Sequence, residues 1–267
     1  MKVFISADIE GLTSTARRED CLVGGYDYER NRKEMTREVV AACEGAHAAG
    51  ADLIVVKDAH GPAISILPEE LPEYVQLARG WAVEPTLMVE GIDETFDAAF
   101  FVGYHNAAGT GSNVLGHTIS SAKVQSITIN GKLASEFYIY SNMCAYFGVP
   151  SVLLTGDQGL CEDSKDLHPG LVTVPVCQGV GGRVQGLSPK LACKLIREAA
   201  EKALKQDLKK ALITPPKDIQ VEVCYREHGN AYANSFYPGA KLVNPKTIAF
   251  QATDWYELGR FLTFVIM

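Results

Sequence analysis

The sequence has no cysteines spaced C-x-x-C, no excess of basic residues, and no apolar run approaching the ~18 residues that cross a bilayer. Each absence excludes a class of protein. Seven cysteines scattered from Cys21 to Cys224 leave one over if paired, which suits reduced thiols in a cytosol rather than a disulfide scaffold. A formal net charge of −7 repels nucleic acid and anionic membrane surfaces, so neither is expected as a partner. Ahead of the first acid stand only Lys2 and "VFISA", too short for a signal peptide or a span, and the expected location is the cytoplasm. Neither Ser6 nor Ser14 sits in a G-x-S-x-G elbow. The glycine-rich "QGVGGRVQG" lacks the Lys-Ser/Thr of a phosphate loop, and its glycines read as tight turns.

What is present is ample apolar content, 47% of 267 residues, arranged as short β-branched runs alternating with helical stretches. "KVFIS" is followed by "YERNRKEMTREVVAACEGAHAAG" and then "ADLIVVKDAH". In the middle stretch Met35, Val39, Ala42, Cys43, Ala46 and Ala49 recur at three- and four-residue spacing, and Gly50 stands where a helix C-cap belongs. The flanking runs are continuously apolar rather than alternating, the pattern of parallel strands buried on both faces. Further strands are predicted at "AAFFVGYH", "SITIN", "SVLLTGD", "LVTVPV", "IQVEVCY" and "TIAFQA". Helices are predicted over residues 134–147, from Ser188 as N-cap with Pro189 at the first position, and from Asp254 onward. The fold class is therefore α/β, a mostly parallel sheet flanked by helices, with residues 1–178 as the main metal-binding core and 179–267 as a smaller C-terminal α+β lobe, the alternative being one intertwined domain.

Ligands of parallel sheets collect at the carboxyl ends of the strands. Three apolar runs end there in polar residues: "VFISADIE" in Asp8 and Glu10, "LIVVKDAH" in Asp58 and His60, and "AAFFVGYH" in His105. Residues two apart in extended chain share a side, so Asp8 and Glu10 face one site. Two carboxylates in a dry cleft repel unless a cation lies between them. Carboxylates with neutral imidazoles suit zinc, with manganese, iron or cobalt as substitutes. His47 reads as an ordinary helix residue and His168 as part of a turn.

These residues belong to a longer pattern, "ADIEG", "YERNRKEMTREV", "KDAH", "MVEGIDETFDAAFFVGYHNAAG", "GHTIS", "INGKLASE", "GVPSVLLTGD" and the late "FQATD". The pattern resembles the D-aminopeptidase family of binuclear zinc peptidases of the dipeptide-operon (DppA) type, and it covers almost the whole chain. The resemblance implies two zinc ions per chain held by Asp8, Glu10, His60, His105 and Glu136. Asp8 would bridge them, Glu10 and His60 would complete one site, and His105 and Glu136 the other. It further implies His117 as a catalytic histidine handling protons or the oxyanion, and a metal-bridged hydroxide attacking the peptide bond behind the N-terminal residue of a short peptide, a D residue being expected and a larger or L-configured one the alternative. A ring-type homo-oligomer is implied as well. Without the resemblance, Glu136 reads only as an acid in a first helical turn.

The chain departs from the family pattern at Tyr138 and Tyr140, where a glycine and an asparagine are expected, at Gln158 in place of an aspartate, and at Lys57 and Ala59 within "KDAH". These changes spare the implied metal ligands and fall on the implied substrate pocket. The same ligand set would serve a binuclear amidase, esterase or phosphoesterase acting on a non-peptide substrate, or a non-catalytic relative that binds metal and a small ligand.

Overall fold

A computed structural model describes residues 1–267. The chain runs through β1 (Lys2–Ala7), α1 (Tyr28–Ala48), β2 (Leu53–Asp58), β3 (Val75–Ala78), β4 (Ala98–Tyr104), β5 (Val124–Ile129) and β6 (Lys132–Leu133). There follow α2 (Glu136–Tyr146), β7 (Ser151–Asp157), α3 (Gln158–Ser164), β8 (Val172–Val180), β9 (Arg183–Gly186), α4 (Pro189–Leu204) and α5 (Leu208–Ala211). The last part holds β10 (Ile219–Tyr225), α6 (His228–Asn234), β11 (Lys241–Asn244), β12 (Thr247–Ala252) and α7 (Trp255–Ile266).

Seven strands form the main sheet in the order β3-β2-β1-β4-β7-β8-β9. All neighbours are parallel except the edge pair β8–β9. β4 and β7 are buried along their whole length, as continuous apolar runs require. Successive side chains of β1 feed opposite cores. Val3, Ile5 and Ala7 pack with α1 and α4 on one face, while Phe4 joins α2, α7 and the second sheet on the other. Gly45 lets α1 approach α4 closely, because a Cβ there would collide with the Arg197 carbonyl.

The second sheet is antiparallel, in the order β11-β12-β10-β5-β6. It draws on chain from both sides of residue 178. β5 precedes that point yet pairs with β10 on one side and β6 on the other, whereas β9 and α4 follow it yet belong to the main sheet and its helical layer. Backbone pairing of Val221 with Ile129 and of Val223 with Ile127 ties the two halves together. "GVGGRVQG" is the β8–β9 hairpin, with Gly181 in the left-handed conformation its turn demands (φ 59°). The short edge strands β3, β6, β9 and β11 and the helices α3, α5 and α6 have too few residues to show a periodicity in the sequence.

From β1 the chain moves outward to β2 and β3, then returns to lay β4 on the other side of β1. The strand order therefore reverses between β1 and β4, and the crevice at their carboxyl ends is where this architecture places ligands.

Candidate active site

That crevice gathers six of the residues singled out above. Asp8 and Glu10 follow β1, His60 follows β2, His105 follows β4, His117 lies on the loop leading to β5, and Glu136 opens α2. All are at least nine-tenths buried. Gly103 permits the close approach of β4 to the end of β1. Its φ is 74°, and a Cβ there would meet the Asp8 carbonyl.

The distances are those of one cluster. His60 Nδ1 lies 3.1 Å from Asp8 Oδ1 and 2.8 Å from Glu10 Oε2. His105 Nε2 lies 3.4 Å from Asp8 Oδ2 and 3.3 Å from Glu136 Oε2. His117 Nε2 faces Glu10 Oε1 at 3.9 Å and Glu136 Oε1 at 3.8 Å, and its ring stacks on His105 with centroids 4.4 Å apart. Three overlapping groups have the donors and spacing to hold a metal ion: Asp8 with Glu10 and His60, Asp8 with His105 and Glu136, and Glu10 with His105 and His117.

Each imidazole is oriented by a backbone carbonyl on its far nitrogen. His60 Nε2 bonds the Cys21 oxygen at 2.9 Å, His105 Nδ1 the Asn106 oxygen at 3.0 Å, and His117 Nδ1 the Leu115 oxygen at 2.8 Å. A carbonyl only accepts, so in each neutral ring the proton sits on that nitrogen and the lone pair of the other points into the cluster. Asp58 does not orient the His60 ring. Its carboxylate accepts the backbone N–H groups of Ile66 and His60, which shapes the turn after β2.

Protonation follows from burial and crowding. Burial, with Glu10 adding to it, pushes Asp8 up to about 7. Burial alone would raise Glu10 too, but the charge of His60 and its hydrogen bond to the carboxylate outweigh it and hold Glu10 well below its usual value. Burial likewise opposes ionisation of Glu136, and His105 overcomes it. His60 and His105 would be depressed by burial, yet Glu10 beside the first and Glu136 beside the second raise both well above the ordinary histidine value. Burial and the adjacent His105 lower His117, leaving a neutral imidazole at pH 7.

Three buried carboxylates in contact call for compensating positive charge. Asp8 Oδ2 and His105 Nε2 are buried with no hydrogen-bond partner, although they face each other across the cluster. Orphaned oxygen and imidazole donors of this kind fit a divalent cation of the zinc class.

The framework around the cluster escaped the reading of the sequence. Asp157, buried at the end of β7, accepts the Asn106 N–H at 2.6 Å and the Leu160 N–H at 2.9 Å. It also receives Asn113 Nδ2, which in turn reaches the Glu10 carbonyl at 3.3 Å. Ile119 donates its N–H to Glu136 Oε1 at 2.7 Å, from a left-handed backbone (φ 64°) that a β-branched residue seldom adopts. Ser6 bonds the Met88 carbonyl and the Tyr104 hydroxyl, each at 2.6 Å, and so acts as a brace. His47 stacks on Tyr74, and His168 bonds the Ser141 hydroxyl; both lie outside the cluster. All seven cysteines are unpaired.

The cluster opens into a pocket of about 120 Å³, walled by Trp81, Leu87, Met88, Ile119 and Tyr140. This is small beside the roughly 300–1,000 Å³ of sites for drug-sized ligands and suits a compact substrate. Of Lys57, Ala59, Tyr138, Tyr140 and Gln158, only Ala59 and Tyr140 line it. Lys57 is buried against Glu90 at 3.2 Å and lies 4.1 Å from the centroid of the Trp81 ring, supporting the wall from behind. Tyr138 packs edge-on to Trp255, and the Gln158 side chain donates to Glu162 at the surface.

Comparison with known proteins agrees with this architecture. A D-aminopeptidase of Bacillus subtilis (strain 168) is 31% identical over 261 residues, covering 96% of this chain and 93% of the relative. The solved structure described as the Zn-dependent D-aminopeptidase DppA from Bacillus subtilis, a self-compartmentalizing protease, superposes with a TM-score of 0.92 at 28% identity. That match covers 99% of this chain and 96% of the other. The family model described as D-aminopeptidase matches residues 1–264, and the chain belongs to that family of peptidases.

Proposed function

We propose that the protein is a zinc-dependent aminopeptidase that releases the N-terminal residue, of D configuration, from short peptides. The observation that carries this reading is the position of Asp8, which presents Oδ1 to the His60–Glu10 pair and Oδ2 to the His105–Glu136 pair. Asp8, Glu10 and His60 would hold one ion, and Asp8, His105 and Glu136 the other. When bound, two zinc ions supply Lewis acidity that polarises a peptide carbonyl and makes water a nucleophile near pH 7.

The chain's own groups do the rest. The backbone carbonyls of Cys21 and Asn106 keep the ligand lone pairs of His60 and His105 aimed inward. His117, neutral and with its Nε2 lone pair free, is placed to take a proton from water and return it to the leaving amine. The acidic lining attracts the ammonium of a free N-terminus, and the apolar walls, Leu87, Met88 and Ile119, exclude bulk water from the peptide group.

We further propose a homo-oligomer of ring type. Tyr232 on α6 and Phe236 just beyond it stack edge-on and are 61% and 71% exposed, and Phe264 on α7, against Tyr237, is 71% exposed, aromatic surface a soluble monomer would seldom leave bare. The Bacillus subtilis relative described as self-compartmentalizing is in keeping with such assembly. Replacement of Glu10 and His105 by alanine together tests the catalytic reading. The variant is expected to stay folded while losing bound zinc and all dipeptide release, and retained turnover would refute it.

A further inference from the structure

Tyr140 stands on α2 four residues after Glu136, so both side chains leave the same face of the helix. It lines the pocket beside the cluster, is fully buried, and its hydroxyl has no hydrogen-bond partner in the protein. A buried hydroxyl kept only for packing would be better replaced by a hydrogen atom, since an unpaired polar group opposes folding. Its neighbour Tyr104 shows the alternative, a buried phenol fully engaged with Ser6 Oγ at 2.6 Å.

Burial, with Glu136 and Glu90 adding to it, keeps the Tyr140 phenol protonated well above its usual range. The group is therefore a neutral O–H donor held at the pocket wall. The neutral acceptor that a peptide brings to the cluster is its amide carbonyl.

We infer that Tyr140 binds the substrate directly, its hydroxyl donating a hydrogen bond to the carbonyl oxygen of the residue being released. This rests on the aminopeptidase reading above, and it assigns a substrate contact to a position at which the chain departs from its family pattern. The bond is available to the ground-state carbonyl and strengthens as charge develops on that oxygen.

The test is Tyr140→Phe in the zinc-loaded protein, followed by zinc content, thermal midpoint, and kcat and KM for D-Ala-D-Ala. The expected result is unchanged zinc, a midpoint equal to or above that of the unaltered protein, and kcat/KM lower by about 10- to 100-fold. Incorporating 3-fluorotyrosine at position 140, which retains the O–H, should keep kcat/KM within a few fold. Kinetics within twofold of the unaltered protein would overturn the assignment while leaving the peptidase reading intact. A midpoint lowered by several degrees, or failure of Tyr140→Phe to fold, would show that the hydroxyl serves the fold and would equally overturn it. No release by the unaltered, zinc-loaded protein from any short peptide would overturn the peptidase reading, and the Tyr140 assignment with it.

Discussion

Replacing Asp157 by alanine probes whether the site depends on a framework that touches neither substrate nor metal. Asp157 is fully buried and accepts from Asn106 N, Leu160 N, Ser112 Oγ and Asn113 Nδ2. The Leu160 bond caps α3, and loss of such a cap costs about 1 kcal/mol. Leaving the buried Asn106 N–H without a partner adds roughly 1–3 kcal/mol, and Asn113, which also holds the Glu10 carbonyl, loses part of its anchorage. Together the loss is about 3–5 kcal/mol, a large part of the roughly 5–15 kcal/mol that stabilises a typical protein. At this chain length it corresponds to a midpoint lower by roughly 6–20 °C. Urea unfolding followed by circular dichroism, alongside dipeptide release, measures both consequences. Because Asn106 adjoins His105, turnover should fall below that of the unaltered protein even where Asp157→Ala is fully folded. Asp157→Ser, which can still cap α3, should recover about 1 kcal/mol of stability but not the turnover. Stability within about 1 kcal/mol of the unaltered protein and full activity would refute the framework argument.

Other consequences follow from the same geometry. Burial, with Glu34 adding to it, pushes Glu38 up to about 8. A carboxyl raised in the folded state contributes stability at low pH that is lost as pH rises from its unfolded value of about 4.3 toward 8. Glu38→Gln should therefore be more stable than the unaltered protein by about 3–5 kcal/mol at pH 8.5, with the gap closing by pH 4.5, as read from unfolding midpoints across that range. Zinc needs the lone pairs of His60 and His105, whose affinity for protons is raised, so loading at neutral pH should release protons and weaken as pH falls. If both imidazoles give up a proton, the binding free energy falls by about 2.7 kcal/mol per pH unit, measurable by calorimetry in buffers of different ionisation enthalpy. His117→Ala should keep its zinc yet lose about 10²–10⁴-fold in kcat, a loss typical for a group that moves protons. Ser135→Ala removes the side-chain cap of α2, at the Tyr138 N–H, and should cost about 1 kcal/mol in urea unfolding.

The sequence exposes the site where chemistry interrupts a buried strand. Asp8, Glu10, His60 and His105 stand at the ends of continuous apolar runs, and parallel pairing of β1 with β2 and β4 brings those ends together. Glu136 carries no such signal, because an acid after the N-cap Ser135 is ordinary helix chemistry. His117 is likewise silent, on a loop whose course is set by bonds to Asp157 and Glu136 from residues far away in sequence. The class of the fold was legible for the same reason as the site, namely unbroken apolar strands alternating with amphipathic helices. Which strands interleave the two sheets was not, since the answer rests on β5 pairing with β10 across some ninety residues. No local pattern encodes that pairing. Tyr138 and Tyr140 look equivalent as letters, yet a helix turns them to different neighbours, one to Trp255 and the other to the pocket.

The measurement that bears most directly on the central claim is metal content by mass spectrometry on the purified protein, paired with release from D-Ala-D-Ala and L-Ala-L-Ala. The account predicts two zinc ions per chain, removed together with activity by a chelator, and release selective for the D dipeptide. Protein that binds no zinc when offered it, or that hydrolyses neither dipeptide with two zinc ions bound, would contradict it.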